Sequence, residues 1–378
     1  MIVPRRPHVT FFVTVDWYFC HHYLALAQAV REAGYEVSVV TRVDEHGDRI
    51  REAGLGLVPF EVSRKGMNPL RELAAIGRLV RVLRDLRPAL LHNIAQKPVV
   101  YGTLAARLAG VPAVVNAVAG MGHLYTSNGL RARVVRGLLA GAYRALLTAR
   151  NVRVLVQNMD DRSQIFGLTG VEPILIPGSG VDVSRYIPRE QSPEPVVVVL
   201  ASRMLWDKGI AEFVAAAQEI KSNGSHTRFA LVGKPDAGNP SSVAEEQLRS
   251  WQQEGCIEWW GYRPDMPRVL AQAHIGCLPS YYREGLPKFL IEAAAAGLPL
   301  VTTDAPGCRE VVTHGENGYL VPPRDSSALA AALNRLIQDQ ALRRRFGAKS
   351  RARAEAIFAN ERVFAQVLRV YEDLLSKP

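Results

Sequence analysis

Short apolar runs alternate with helical patterns from His8 to Ile176, stop at a turn-rich stretch, and begin again at Val196. The first series is His8 to Val15, a helix over His22 to Ala33 closed by Gly34, Val37 to Thr41, Leu90-Leu91-His92, a helix over Val99 to Leu108 closed by Gly110, Ala113 to Asn116, Arg153 to Gln157 and Ile174-Leu175-Ile176. The second is Val196 to Leu200, a helix over Gly209 to Lys221, Arg228 to Val232, Ile257 to Trp259, Ile275 to Leu278 and Leu300 to Thr303. Strands separated by helices pair in parallel, and a parallel sheet needs both faces covered. The chain therefore reads as α/β, with two doubly wound Rossmann-like domains. Between the two series lie Pro177-Gly178-Ser179-Gly180-Val181-Asp182 and then Pro188, Pro193 and Pro195, which is linker composition. A length of 378 residues, 48% of them hydrophobic, exceeds what one core organises and supplies two. The expected domains are 1–185 and 186–358, with a last helix in 359–378. Asp325 reads as the N-cap of a helix over Ser326 to Gln338, and helical patterns follow at Ala341 to Phe358 and Glu361 to Leu375. Open parallel sheets bind ligands beyond the carboxyl ends of their strands, so two such sheets facing each other make a cleft.

The most informative side chains follow Ile275 to Leu278, in Pro279-Ser280-Tyr281-Tyr282-Arg283-Glu284-Gly285-Leu286-Pro287-Lys288-Phe289-Leu290-Ile291-Glu292. Pro287 suits a first helical turn, and the helix should stop at Gly297 with Pro299 beyond. Glu284 then lies in the loop and Glu292 in the helix. The amides of Gly285 and Leu286 fall at the positive end of the helix dipole, a seat for a diphosphate. An acid beside an anion seat is electrostatically awkward unless it has hydroxyls to bind, which favours a nucleotide sugar over a bare phosphate. The alternative reading is a surface loop acid and a solvated helix acid. Upstream, Arg203 and Lys208 in Ala201-Ser202-Arg203-Met204-Leu205-Trp206-Asp207-Lys208-Gly209 stand where a strand gives way to a helix, placed to neutralise a departing diphosphate. Gly233, ending the next strand, allows close backbone approach. Tyr262 and Arg263 after Gly261 offer an aromatic and a planar cation to a base, or else form a core edge.

The formal charge of +10 is uneven: no Asp or Glu occurs between Asp85 and Asp160, a stretch that holds Arg87, Lys97, Arg107, Arg131, Arg133, Arg136, Arg144, Arg150 and Arg153. Within it, Gly129 to Thr148 has helical spacing, with Val134, Val135, Leu138, Leu139, Ala142 and Leu146 on one face and Arg133, Arg136 and Arg144 on another. Such a helix can lie on an anionic membrane leaflet, or bury its apolar face in the domain and leave its arginines solvated. Nucleic acid is the poorer partner, because aromatics are not interleaved with the charge and no recognised module is present. No apolar run reaches the roughly 18 residues of a membrane helix, and the first fifteen residues lack a signal-peptide layout. Cys20, Cys256, Cys277 and Cys308 show no CxxC spacing, which suits a reduced, cytoplasmic chain without structural zinc. His21-His22 points in two directions on a helix and Asp160-Asp161 lacks DxD spacing, so no metal is called for.

Ser202-Arg203-x4-Lys208-Gly209, Leu278-Pro279-Ser280-x3-Glu284-Gly285-x-Pro287-x4-Glu292-Ala293, Gly297-x-Pro299, Pro306-Gly307-Cys308-x-Glu310 and Gly315-x-Asn317-Gly318-Tyr319-Leu320 resemble the second domain of the retaining GT-B glycosyltransferases of family 4, a likeness spanning nearly all of 196–340. The resemblance implies that Arg203 and Lys208 bind the donor diphosphate, Glu284 the donor sugar and Glu292 the ribose, with no protein nucleophile and no cofactor beyond the nucleotide-sugar donor, UDP-linked. Val62-Ser63-Arg64-Lys65-Gly66-Met67-Asn68-Pro69 and Ala119-Gly120-Met121-Gly122-His123-Leu124-Tyr125 narrow it to the branch that adds hexosamines such as N-acetylgalactosamine to polyprenyl-diphosphate-linked oligosaccharides. Gly120 and Gly122 resemble the loop that approaches the donor in relatives. Ala119 stands where many relatives carry a histidine, so no catalytic side chain carries over there; His123, four positions on, is left as a structural or acceptor contact. A lipid-linked glycan acceptor at the inner face of the plasma membrane would account for the acid-free basic stretch. The same kinship implies closure of the domains on donor and acceptor, and a last helix with stripe Phe364, Leu368, Tyr371 and Leu375 packing back on the first domain. The alternatives are an epimerase or phosphorylase of the same architecture, or a sugar-nucleotide sensor without activity.

Overall fold

A computed structural model describes residues 6–62, 69–120, 130–188 and 195–376. The chain divides into two compact units, Met1–Gly180 with Asn360–Pro378, and Val181–Ala359. The change of unit falls at Gly180, five residues before the expected boundary, because Val181 is already bonded into the second unit: its amide donates to Phe358 O at 2.9 Å and it bridges Ala359.

The first unit runs β1 (His8–Phe12), α1 (Asp16–His22), α2 (Leu24–Glu32), β2 (Glu36–Thr41), α3 (Gly47–Glu52), β3 (Gly56–Pro59), α4 (Pro69–Leu86), β4 (Leu90–Ile94) and α5 (Gln96–Ala109). It continues through β5 (Ala113–Val118), α6 (Leu130–Leu147), β6 (Val152–Val156), α7 (Met159–Thr169) and β7 (Ile174–Leu175). All seven strands are parallel, in the order β3-β2-β1-β4-β5-β6-β7, so the order reverses between β1 and β4. Alternation along β1 sends Val9 and Phe11 into one core and Phe12 into the other.

The helix expected from His22 begins instead at Asp16 and breaks at Tyr23. The fully buried Asp16 carboxylate accepts the amides of Trp17, Asp44 and His46, which fixes the start of α1 against the turn after β2. The inward face of α6 also differs from the sequence reading. Tyr143 and Leu147 are buried and Leu138 is 71% exposed, because the large aromatic and its i+4 partner enter the core and rotate Gly137, Leu138 and Gly141 outward.

The second unit runs β8 (Val197–Ala201), α8 (Ile210–Ser222), β9 (Arg228–Val232), α9 (Glu245–Gln253), β10 (Glu258–Gly261), α10 (Met266–Leu270), β11 (Ile275–Leu278), α11 (Lys288–Ala295) and β12 (Leu300–Thr303). It ends with α12 (Cys308–Val311), β13 (Gly318–Val321), α13 (Ser326–Gln338) and α14 (Gln340–Arg353). Its six parallel strands stand in the order β10-β9-β8-β11-β12-β13, reversing between β8 and β11. Asp325 caps α13 by accepting the Ala328 amide at 2.8 Å.

The last helix, α15 (Asn360–Leu375), belongs to the first unit. Its buried residues are Val363, Phe364, Val367, Val370, Tyr371 and Leu374; Leu368 and Leu375 of the expected stripe sit at its margin. Tyr371 Oη is 2.5 Å from Nδ1 of His92 on β4, whose ring stacks on Phe11. Burial pushes the His92 pKa down to about 3, so the ring is neutral.

Candidate active site

The point where strand order reverses leaves a crevice beyond the carboxyl ends of two neighbouring strands. In the second unit these strands are β8 and β11, and the segments leaving them carry Arg203 and Lys208 on one side and Ser280 to Glu284 on the other. One carbonyl locks the two segments together. Asp207 O accepts the amides of Tyr281 and Tyr282, each at 3.1 Å, and the Ser280 hydroxyl at 3.2 Å. Gly209 makes the approach possible: its φ is +76°, and a Cβ there would lie 2.2 Å from Pro279 O.

Across this lock the Lys208 ammonium forms an ion pair with Glu284 Oε1, and both side chains are only 12% exposed. Ser280 Oγ lies 3.1 Å from the same oxygen, and the Lys208 ammonium lies 5.6 Å from the Tyr282 ring centre. Behind the loop, the Thr303 hydroxyl donates to Ser280 O. Gly307, at φ +80°, lies against the loop so closely that a Cβ would be 2.5 Å from Gly285 O and 3.0 Å from the Glu284 Cβ. Next to it the buried Cys308 thiol is pushed up to about 12, by burial first and by the Glu284 charge second, so it is a neutral packing group.

Gly285 and Leu286 are buried just before α11, which starts at Lys288 with Pro287 as its N-cap. Glu292 lies inside that helix and is buried. Lys288 Nζ is 3.9 Å from its Oε1. Burial raises the pKa of Glu292; Lys288, Tyr186 and Arg185 oppose that rise without cancelling it. Arg203 is held apart from this cluster, its Nη1 2.6 Å from Asp236 Oδ2. Both cations expected at the site are thus paired with carboxylates, Lys208 to Glu284 and Arg203 to Asp236.

The remaining expected residues are more dispersed. Gly233 has φ +142°, and the space a side chain would need is filled by Ser202 O, 1.8 Å from an ideal Cβ; the protein's own backbone requires that glycine. Tyr262 and Arg263 are exposed beyond the edge strand β10, with Lys234 Nζ 5.5 Å from the Tyr262 ring centre. In the first unit Gly120 follows β5 at φ +87° and its carbonyl accepts the Gln96 side-chain amide at 3.3 Å. Gly122 and His123 lie outside the described residues, as do 63–68 and 189–194, and of Arg133 only the helical backbone is described. Arg136 is half-buried, and Arg144 is exposed with Nε on Leu168 O at 2.6 Å. Among the described residues no group of three His, Cys, Asp or Glu could hold a metal ion. Residues to which the sequence assigned no role are Asp207, Asp236, Thr303 and Gly307, although Asp207 and Gly307 lie within the stretches singled out above.

The family model for group 1 glycosyl transferases matches residues 195–339, and one for glycosyl transferase 4-like domains matches residues 8–157. The two stretches together span more than half of the chain. The chain belongs to the group 1, family 4-like glycosyltransferases. This glycosyltransferase is 28% identical over 371 residues to the N,N'-diacetylbacillosaminyl-diphospho-undecaprenol alpha-1,3-N-acetylgalactosaminyltransferase of Campylobacter jejuni, covering 94% of this chain and 96% of the relative. It is 27% identical over 369 residues to the phosphatidyl-myo-inositol mannosyltransferase of Mycolicibacterium smegmatis, covering 93% and 89%. Among solved structures, Anabaena HepE in complex with UDP-glucose superposes with a TM-score of 0.80 at 19% identity, covering 97% of this chain and 99% of that one. Sucrose-phosphate synthase of Thermosynechococcus elongatus superposes equally well, TM-score 0.80 at 19% identity over 99% and 100%. The glycosyltransferase has the GT-B fold, two Rossmann-like parallel-sheet domains.

Proposed function

We propose that the protein transfers a sugar, a hexosamine such as N-acetylgalactosamine, from a UDP-linked donor to a lipid-linked glycan, with retention of configuration and without a metal ion. The observation that carries this reading is the Lys208–Glu284 pair at the strand-order reversal of the second unit. Cleaving a glycosyl diphosphate places charge on the departing phosphate oxygen and leaves an oxocarbenium-like carbon. Lys208, Arg203 and the amides ahead of α11 supply positive charge for the first, and Glu284 a carboxylate for the donor sugar's hydroxyls. The C–O bond to the diphosphate breaks, the acceptor oxygen bonds to the same carbon from the same face, and its proton passes to the leaving phosphate oxygen. Similarity to the Campylobacter enzyme over nearly the whole chain supports the transferred sugar and the acceptor class.

The acceptor class also suits the surface of the first unit. No helix among the described residues is long and apolar enough to cross a membrane. Instead α4 turns Leu70, 78% exposed, and Leu73, 64% exposed, outward beside Arg71, Arg78 and Arg81, and α6 adds Leu138 and Arg144. We place the protein peripherally on an anionic leaflet, where its diphosphate-linked acceptor would reside.

The test is release of UDP from UDP-N-acetylgalactosamine on addition of a polyprenyl-diphosphate glycan. Release that needs the glycolipid and is lost in Lys208→Ala supports transfer. Turnover that ignores the glycolipid, or survives Lys208→Ala, contradicts it.

A further inference from the structure

Arg6, Arg84 and Arg87 line a cavity of about 610 Å³ in the first unit, at the amino ends of β1, β4 and β5. Ligand crevices of parallel sheets lie beyond the carboxyl ends of the strands, so this cavity, at the opposite edge, is separate from any donor or acceptor crevice. Its backbone acceptors are taken up by the protein itself. Leu83 O accepts the Arg87 amide at 2.9 Å, Leu86 O lies 3.1 Å from Nδ1 of His8, and the Arg84 guanidinium donates to Leu108 O, near the end of α5, at 3.0 Å. The other ring nitrogen of His8 is 2.9 Å from the Ser38 hydroxyl. Arg6 and Arg87 are left over. Both are exposed, and among the described residues neither has a hydrogen-bonded or ion-paired partner. Among the described residues no Asp or Glu lines the cavity; Asp85, beside Arg84 in the chain, and Glu36, the register partner of His8, form no part of its wall. Arg87 also has φ +47°, a left-handed position just past α4 that glycine fills without strain. The chain keeps an arginine there against that preference.

We propose that this cavity is a second ligand site, which binds a phosphate monoester carrying an apolar group, the phosphate on the three arginines and the apolar group on the wall between them. Guanidinium N–H groups fork onto phosphate oxygens, and three cations without a counter-acid suit a dianion better than the single charge of a carboxylate. The carboxyl-terminal ends of α4 and α5 oppose an anion here, with about half a negative charge each. Against three whole positive charges that opposition loses. The volume is that of a small-molecule site. Its wall includes the buried Leu83 and Val111 together with Pro88 and Pro112, which offer surface to hydrocarbon and no hydrogen bonds to a sugar. A soluble ester and a lipid headgroup present the same phosphate, and the test separates the two sources.

The probe is hexyl phosphate, titrated by calorimetry into the intact protein. It should bind wild type and Lys208→Ala alike and stay bound in excess UDP, whereas hexyltrimethylammonium, with the same tail and the opposite charge, should not bind. Arg6→Gln and Arg87→Gly should each weaken hexyl phosphate by about tenfold, the worth of one hydrogen bond to a charged group, with UDP release unchanged. Glycine is unstrained at φ +47°, so Arg87→Gly should melt close to wild type and its loss of binding is not a loss of fold. Flotation with phosphatidylcholine vesicles, with and without phosphatidic acid, then reads the source. Weaker binding of the double arginine variant to the phosphatidic acid vesicles identifies a lipid headgroup; unchanged vesicle binding beside lost hexyl phosphate binding identifies a soluble ester. Either result upholds the site. Hexyl phosphate that does not bind, that UDP displaces, or that binds both arginine variants as tightly as wild type overturns it, as does equal binding of the ammonium probe.

Discussion

Lys208 and Glu284, 76 positions apart in the chain, are ion-paired across the two loops that leave β8 and β11, and Asp207 next door holds those loops together through its carbonyl. The pair keeps two charges, each mostly withdrawn from water, neutral until a ligand arrives. In the proposed reaction the donor diphosphate would take over the ammonium and release the carboxylate to the sugar hydroxyls.

Removing one partner should cost both activity and stability. Lys208→Ala should lower kcat/KM by about 100-fold to 1000-fold, the usual loss for a group stabilising transition-state charge, and should destabilise the second unit, because Glu284 is left nearly buried and unpaired. Lys208→Ala with Glu284→Gln should recover part of the melting temperature and none of the activity. Steady-state UDP release and thermal melts of the single and double variants check both parts; equal melting of the single and double variants would show the pair to be incidental.

Gly307 sets the shape of the loop that carries Glu284. Gly307→Ala adds a methyl 2.5 Å from Gly285 O at a φ of +80°, where a side chain is strained in any case. The variant should lose about 1–3 kcal/mol and most of its activity. Gly224→Ala, also at positive φ but with nothing within 4 Å of the new atom, serves as the control that carries the backbone cost alone. The gap between the two in denaturant unfolding, and intact turnover in the control, measure the contact.

His92 gives the first unit a pH-dependent stability. Its folded pKa of about 3 lies below the ordinary value of about 6.5, so between those values the unfolded chain binds a proton that the folded chain refuses. Stability is therefore full above about pH 6.5 and falls as pH decreases, by about 1.4 kcal/mol per unit, or about 2 kcal/mol by pH 5. In His92→Phe that slope should flatten by the same amount, although the variant also loses the Tyr371 hydrogen bond and starts from lower stability. Urea unfolding at pH 7 and pH 5 reads the difference; parallel slopes in the two proteins would reject it.

The alternation of strands and helices was legible because apolar period and turn residues are local properties of the chain. So was the Asp325 cap, and so was the division that leaves Glu284 in a loop and Glu292 in a helix. The short elements α3, β3 and β13 carry too little pattern to stand out; β3 is a four-residue edge strand whose Gly56 and Pro59 are exposed. Pairings that depend on strand order were not legible. Nothing near Lys208 indicates that β11 pairs with β8 and brings Glu284 beside it. The inward face of α6 departs from the expected one at Leu138, which is exposed, whereas Leu139 and Leu146 do pack against the core and Tyr143 and Leu147 fill the space beneath that helix.

That rotation of α6 changes where membrane contact should be sought. Arg144 of α6 is engaged with the carbonyl of Leu168, and on α4 two exposed leucines sit at the N-terminal end with the exposed Arg78, 6.0 Å from the Phe60 ring centre, and Arg81 further along the helix. Leucines that enter the headgroup boundary and arginines that meet anionic phosphates would act together. Replacing Arg78 and Arg81 by Gln should weaken binding to vesicles containing anionic lipid by about fivefold for each charge removed, with little effect on neutral vesicles. Replacing Leu70 and Leu73 by Ser should weaken binding to both, because apolar insertion does not depend on lipid charge. Neither change touches the Lys208–Glu284 site, so turnover with a water-soluble acceptor should be unaltered. Flotation with vesicles of the two compositions separates the contributions, and Arg133→Gln with Arg144→Gln tests α6 in parallel. A larger loss from the α6 pair than from the α4 pair would return the membrane face to α6.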